Sequence, residues 1–217
     1  MIKTVILDFD GVVLESVSVK TEVFRSIFSF APNQLNEIVD YHLSNGGVSR
    51  YDKFRYIYRE ILKTELSKEQ FKILSERFGK LVYDGVLKSP YVDGALPFLK
   101  TFHQQLPLFI VSATPEEELI SIIKARGMLH YLRGIYGAPK KKEECIRHIL
   151  TINAIAPDSA LFVGDSPNDF EAAKSTGIHF IGRVRYGDTN RFAGMPGVER
   201  IVADLNDLAD YMDGELT

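Results

Sequence analysis

"VILDFDGVVLES", residues 5–16, sets the apolar run Val5, Ile6 and Leu7 directly against Asp8 and Asp10, with Gly11 behind them. A short apolar run ending in a turn signal reads as a strand buried on both faces. Side chains alternate along an extended chain, so Asp8 and Asp10, separated by Phe9, point to the same side. Either acid alone would pass as a strand-end turn residue, since Asp-Gly is a common turn dipeptide. Two acids closing a buried strand point instead to chemistry.

Beyond this strand the pattern changes. Residues from about Ser16 to Leu87 read as helical throughout, in the four segments "VSVKTEVFRSIFSF", "PNQLNEIVDYHLSNGG", "SRYDKFRYIYREILK" and "SKEQFKILSERFGKLVYDGVL". Each places apolar residues three and four apart; Phe54, Ile57, Tyr58, Ile61 and Leu62 form one stripe. Ser67 followed by Gln70 has the form of a capping box opening the fourth segment. From Pro90 onward strands and helices alternate. "LPLFIVSA", "GIYGA", "ALFVGDS", "HFIGRVR" and "RIVADL" read as strands. "TPEEELISIIKARG", "KEECIRHILTIN", "NDFEAAKSTG" and "DLADYM" read as helices, the first with Thr114 as N-cap and Pro115 at its first position, closing near Gly127. Such alternation predicts an α/β protein: a Rossmann-like, doubly wound parallel sheet covered on both faces, with an all-helical insertion after its first strand. The expected division is a core of residues 1–15 and 89–217 and a helical domain of residues 16–88.

The whole chain is consistent with this. It has 217 residues, 45% of them hydrophobic and 25% charged, enough for a well-buried core of one or two domains. Its net charge of −3 gives no global basic bias towards nucleic acid or an anionic membrane, so neither is an expected partner. No apolar run approaches the ~20 residues that span a bilayer. The apolar part of "MIKTVILDFDG" is too short for a signal peptide and is broken at once by acids, so a cytoplasmic protein is expected. The single cysteine, Cys145, has no internal disulfide partner and reads as an ordinary helix residue.

In an open parallel sheet, ligands bind outside the carboxyl ends of the strands. The first strand ends in Asp8 and Asp10, the second in Ser112, the fourth in Asp165 with Asp169 beyond it, and Lys140, Lys141 and Lys142 follow the third. One crevice would thus collect acids, a hydroxyl and a lysine from four parts of the chain. Bunched carboxylates repel one another and call for a cation; an oxygen-only donor set suits Mg²⁺ together with waters and phosphate oxygens. A carboxylate can attack phosphorus, and a second one can move the proton. A lysine and a serine can hold the phosphoryl oxygens as charge shifts.

"DFDGVV", the serine closing "LFIVSA", the lysine after "GAP" and "GDSPND" together resemble the four motifs of the haloacid dehalogenase superfamily, in order and over nearly the whole chain. The resemblance implies a hydrolase, mostly Mg²⁺-dependent phosphatases among similar proteins, with the helical insertion as a cap over the substrate. It implies Asp8 as nucleophile and Asp10 as general acid/base. Mg²⁺ would be held by Asp8, the Asp10 carbonyl and Asp165, with Asp169 in support. Phosphoryl oxygens would be bound by Ser112 and by backbone N–H groups near Phe9, Asp10 and Ala113. For the catalytic lysine both Lys142 and Lys140 are candidates; Lys142, which leads directly into its helix, is preferred.

In the helical insertion, Asn45, Gly46 and Gly47 break two helices, with Arg50 and Lys53 following. Arg50 is a candidate for gripping the non-reacting part of the substrate, a carboxylate or a sugar hydroxyl; the alternative is a solvated basic helix start. The five histidines show no metal-ligand spacing, and His179 reads as structural. Tyr41, Tyr51, Phe54 and Tyr58 read as packing within the insertion. The expected substrate is a small phosphorylated metabolite. A sugar phosphomutase would use the same groups, a dehalogenase would typically lack the second aspartate, and a phospho-acceptor signalling domain would be shorter and lack the insertion.

Overall fold

The computed structural model describes residues 1–216. Strand β1 (Thr4–Leu7) is followed by helices α1 (Val17–Ile27), α2 (Leu35–Ser44) and α3 (Arg50–Tyr56), a π-helical turn at Ile57–Ile61, and α4 (Lys68–Lys88). The chain then runs through α5 (Ala95–Phe102), β2 (Leu108–Pro115), α6 (Glu116–Ala125), β3 (Gly134–Ala138), α7 (Lys142–Ile152) and β4 (Ala160–Gly164). It finishes with α8 (Pro167–Thr176), β5 (His179–Arg183), β6 (Arg200–Val202) and α9 (Leu205–Leu216). Among the described residues no helix is long and apolar enough to cross a membrane.

The six strands form one sheet in the order β3-β2-β1-β4-β5-β6, every pair parallel. This is the doubly wound α/β architecture, and strand alternation explains how both faces are covered. Val5 and Leu7 pack into one apolar cluster with Leu108, Ile110, Leu161 and Val163, under α5, α6 and α9. Ile6 faces the other way, packing with Phe109, Phe162 and Phe180 against Ile146 and Ile149 of α7 and Phe170 of α8. Cys145 is buried in this second cluster, and burial pushes its thiol up to about 11, as befits an inert core residue.

Helices α1–α4 fill the segment read as an insertion. Their apolar stripes meet in an aromatic centre where the Phe24, Phe54 and Phe78 ring centroids lie 5.0–5.7 Å apart. Ser67 caps α4 as its sequence indicated: the Ser67 hydroxyl accepts from the Gln70 N–H, and the Gln70 side chain accepts from the Ser67 N–H. The two connections to the sheet run side by side, the Glu15 N–H donating to the Pro90 carbonyl (3.0 Å) and the Val92 N–H to that of Val13 (3.1 Å).

One local reading needs correction, and one helix was not read from the sequence. Thr114 does not cap α6: strand β2 continues through Pro115, which pairs with Ala138, and the helix begins at Glu116. The Thr114 hydroxyl is turned instead towards Asp10. Helix α5 lies in a stretch whose Gly94 and Pro97 conceal it; Pro97 sits in the first turn, where its missing N–H leaves no intrahelical bond unmade.

Candidate active site

In the strand order observed here, β1 lies where the winding direction reverses, between β2 and β4, and the crevice beyond the carboxyl ends of these strands is the natural ligand site. The sequence places an acid just beyond the end of β1 and another just beyond the end of β4. Asp8 follows β1, tied to β4 by its N–H on the Val163 carbonyl (2.9 Å). Asp165 follows β4, beside the start of α8. There "GDSPND" acts first as a helix start: Ser166 is the N-cap, Pro167 the first helical residue, and the Asp169 Oδ2 accepts both the Ser166 N–H (3.0 Å) and its hydroxyl (2.6 Å). The other oxygen of Asp169 binds the Lys142 ammonium. Lys142, at the first position of α7, also reaches Asp8 Oδ2 at 2.9 Å.

Asp10 sits in a different setting. It accepts from the Ser16 hydroxyl (2.6 Å), the Thr114 hydroxyl (2.9 Å) and the Lys20 ammonium. Burial works against its charge, but the Lys20 ammonium and these hydroxyls hold the carboxyl below the usual carboxylate range. Asp8 and Asp165 behave oppositely. Burial, together with the neighbouring acids, pushes Asp8 up to about 7, against the pull of Lys142, and Asp165 up to about 8. Lys142, despite burial, is raised by Asp169 and Asp8 and stays an ammonium.

Carboxylate oxygens of Asp8, Asp165 and Asp169 all lie within 4.8 Å of one another, and Lys142 is in direct contact with Asp8 and Asp169. Asp169 accepts three hydrogen bonds, two of them on Oδ2, against one on each oxygen of Asp8, so Asp8 and Asp165 are the acids with more capacity left for a metal ion. Three acids against one ammonium, in an oxygen-only donor set whose protonation burial favours, is a set that a hard divalent cation fits. Gly11 makes the close approach possible: its φ is +78°, and a Cβ there would collide with the Asp165 carboxylate.

A cavity of about 270 Å³ opens over this cluster, lined from the sheet side by Asp8, Asp10, Ser112, Ala113, Thr114 and Asp165. Its opposite wall comes from α1–α4, including Lys20, Phe24, His42, Arg50, Lys53 and Phe78. The two sides touch. The Asn168 side-chain N–H donates to the Gly46 carbonyl at 2.7 Å, and a Cβ on Gly47 would strike Ser166. Arg50 spans the same gap, bidentate on Glu118 of α6 (2.6 and 3.0 Å) with its guanidinium 4.5 Å from the Phe78 ring centre.

The structure therefore brings Asp8, Asp10, Ser112, Ala113, Lys142, Asp165 and Asp169 together. Lys140 and Lys141 are exposed and stand outside the cluster. Arg50 lines the cavity as a buried side chain paired to a carboxylate, which rules out a solvated helix start. The Phe9 N–H is directed at Asp8 Oδ1 (2.7 Å), and the Ser112 hydroxyl, 2% exposed, accepts from the Thr114 N–H (3.1 Å). Sequence reading missed Ser16, Lys20, Thr114 and Ser166. Lys20 and Thr114 meet at Asp10 from 94 residues apart, a juxtaposition no local pattern encodes. Ser166 had a signal, the N-cap position followed three residues later by an acid.

Comparison with known proteins follows the same lines. The model of the haloacid dehalogenase-like hydrolases matches residues 5–183. Phosphoglycolate phosphatase of Escherichia coli (strain K12) is 29% identical over 130 residues, 56% of this chain and 50% of the relative. The chain thus spans about half the length of that relative. Phosphoglycolate phosphatase of Aliivibrio fischeri is 27% identical over 191 residues, 82% of each. Among solved structures, a hydrolase from Pseudomonas syringae superposes with a TM-score of 0.79 at 18% identity, covering 98% of both chains, a likeness of fold.

Proposed function

The chain belongs to the haloacid dehalogenase-like hydrolases, and from that premise we propose that it is a Mg²⁺-dependent phosphatase acting on a small phosphate monoester through an aspartyl-phosphate on Asp8. The observation that carries this reading is the pairing of two unlike acids at the end of β1. Asp8 faces Lys142 and the acid cluster, while Asp10 is held apart by Lys20, Ser16 and Thr114. Two carboxylates held by different partners, one by a lysine of the acid cluster and one by a second lysine and two hydroxyls, suit two different tasks. The relatives named phosphoglycolate phosphatase support the reaction class.

Asp8 and Asp165 would hold Mg²⁺ with the Asp10 carbonyl, and the ion would neutralise phosphoryl charge and keep both carboxylates ionised. An Asp8 oxygen attacks phosphorus and the ester P–O bond breaks. The departing oxygen takes a proton from Asp10, which enters this step protonated against the pull of Lys20, Ser16 and Thr114. Lys142 and Ser112 hold the phosphoryl oxygens, and Asp169 anchors Lys142 in place. Asp10, now ionised, takes a proton from a water that attacks the aspartyl-phosphate, releasing phosphate and restoring Asp8. The Lys20, Ser16 and Thr114 contacts favour the ionised Asp10 that this second step needs.

Residues 16–88 act in this account as a cap, hinged where Leu14–Val17 and Val86–Tyr91 run together, and their closure excludes water from the reacting phosphorus. The test is hydrolysis of an aryl phosphate such as para-nitrophenyl phosphate. Mg²⁺ should support turnover and EDTA should abolish it, with added Mg²⁺ restoring it. Undiminished turnover in EDTA would overturn the metal assignment.

A further inference from the structure

The helical domain is fastened to the sheet on both sides of β1. On the β2 side, Glu118 in the first turn of α6 accepts from both arms of Arg50 (2.6 and 3.0 Å). On the β4 side, Asn168 in the first turn of α8 donates its side-chain N–H to the Gly46 carbonyl (2.7 Å). Because β1 lies between β2 and β4, residues 46–50 cross the crevice beyond Asp8 as a strap held at each end. Gly46, Gly47, Val48 and Arg50 all line the cavity. The strap lies low because it begins with glycines. A Cβ on Gly46 would sit 3.2 Å from Ser166 Cβ, and one on Gly47 would sit 2.5 Å from Ser166 Oγ and 3.6 Å from the Lys142 nitrogen.

Between the end of α2 at Ser44 and the start of α3 at Arg50 the strap has no helix or strand of its own, and the Val48 N–H reaches the Asn45 carbonyl only at 3.3 Å. Its height above the acids is therefore set by its two fastenings. They differ in kind. Arg50 and Glu118 form a charged pair with side chains 6% and 15% exposed, while Asn168 offers one neutral hydrogen bond from an exposed side chain, open to exchange with water. The core end of that bond is pinned. Asp169 accepts the Ser166 N–H and hydroxyl within the same turn, and its other oxygen holds Lys142. A carbonyl only accepts, so the amide nitrogen of Asn168 must face Gly46, and a side chain without a donor has nothing to offer there.

We propose that Asn168 is a positioning residue that seats the 46–50 strap over the leaving-group end of the cavity, so that it governs how tightly the leaving group is bound and not the reaction at phosphorus. This rests on the phosphatase reading and deepens it. Asn168 does not line the cavity, and its side-chain N–H goes to the strap. The phosphoryl group is handled from the sheet side, by Asp8, Ser112 and Lys142, none of which the strap carries. A strap seated for only part of the time lowers the apparent affinity by that fraction and leaves the rate in the seated complex unchanged.

The test compares para-nitrophenyl phosphate with methyl phosphate, whose leaving group is too short to reach the strap. In Asn168→Ala, KM for the aryl ester should rise about three- to tenfold, the effect of one hydrogen bond, with kcat and the KM for methyl phosphate both within about twofold of the parent. Gly47→Ala, which lifts the strap by collision with Ser166, should give the same split. Asn168→Gln, which keeps the donor on a longer arm, should recover part of the loss. Hydrogen exchange reads the seating without turnover: amides of residues 43–49 should exchange faster in Asn168→Ala, while those of β1 and β4 keep their protection. An unchanged KM, an equal rise for both esters, a fall in kcat at constant KM, or unchanged exchange at 43–49 overturns the proposal. Faster exchange there in a chain whose parent hydrolyses no ester would instead overturn the phosphatase reading and leave the seated strap standing.

Discussion

Replacing Glu118 strands the Arg50 guanidinium. The pair joins α3 to α6 across the cavity, with side chains 6% and 15% exposed. Breaking a buried ion pair by removing one partner costs about 3–5 kcal/mol, because the other charge is left uncompensated. Glu118 retains some water, and the helices can lift to rehydrate Arg50, so the loss here should be about 2–3 kcal/mol. At 1.4 kcal/mol per factor of ten, that shifts the balance between seated and lifted helices roughly 30- to 150-fold. The contact of Arg50 with Phe78 is present with and without Glu118, so it cancels in this difference. The assay is a double-mutant cycle by urea unfolding, using Glu118→Leu, Arg50→Met and both together. Each single variant should lose stability, and the double variant should recover part of it, since an apolar pair leaves no buried charge. A coupling energy of about 1.5 kcal/mol or more is expected. Coupling below about 0.5 kcal/mol would refute the claim that this pair holds α3 against α6.

Two other expectations concern the scaffold. Gly11→Ala must adopt a left-handed conformation and push against the Asp165 carboxylate, so urea unfolding should show a loss of about 2–4 kcal/mol; a loss under about 0.5 kcal/mol would contradict the packing described. His42 has a folded pKa lowered to about 3 from 6.5, so the unfolded chain takes up a proton that the folded chain refuses. Its contribution is therefore present above about pH 6.5 and lost as pH falls from there towards 3. Between pH 7 and pH 5 stability should drop on the order of 1–2 kcal/mol more in the parent chain than in His42→Gln, and equal slopes would show that His42 is not held neutral.

Much of this molecule was legible because its signals are local. The period of the apolar residues separated the helical segment from the alternating core, and Ser67 with Gln70 announced the start of α4. The acids were legible because a doubly wound sheet gathers strand ends, so Asp8, Asp10, Ser112 and Asp165 could be assigned to one crevice without knowing the register. What stayed hidden depends on long-range geometry. Thr114 read as a helix cap because Thr-Pro usually is one; only the pairing of Pro115 with Ala138 prolongs β2 and turns that hydroxyl to Asp10. Lys20 and Lys53 each sit in a helix whose period says which face is buried but not what that face meets. Of the three lysines, Lys142, the first residue of α7, lies in the acid cluster, while the two before it are exposed, a difference that depends on where the helix begins.

The central claim, that Asp8 takes the phosphoryl group, is tested most directly by trapping it. Rapid acid quench of protein turning over a ³²P-labelled monoester with Mg²⁺, followed by peptide mapping, should place the label on the peptide containing Asp8. The label should be absent from Asp8→Asn protein. Label on another residue, or full turnover by Asp8→Asn, would contradict the account.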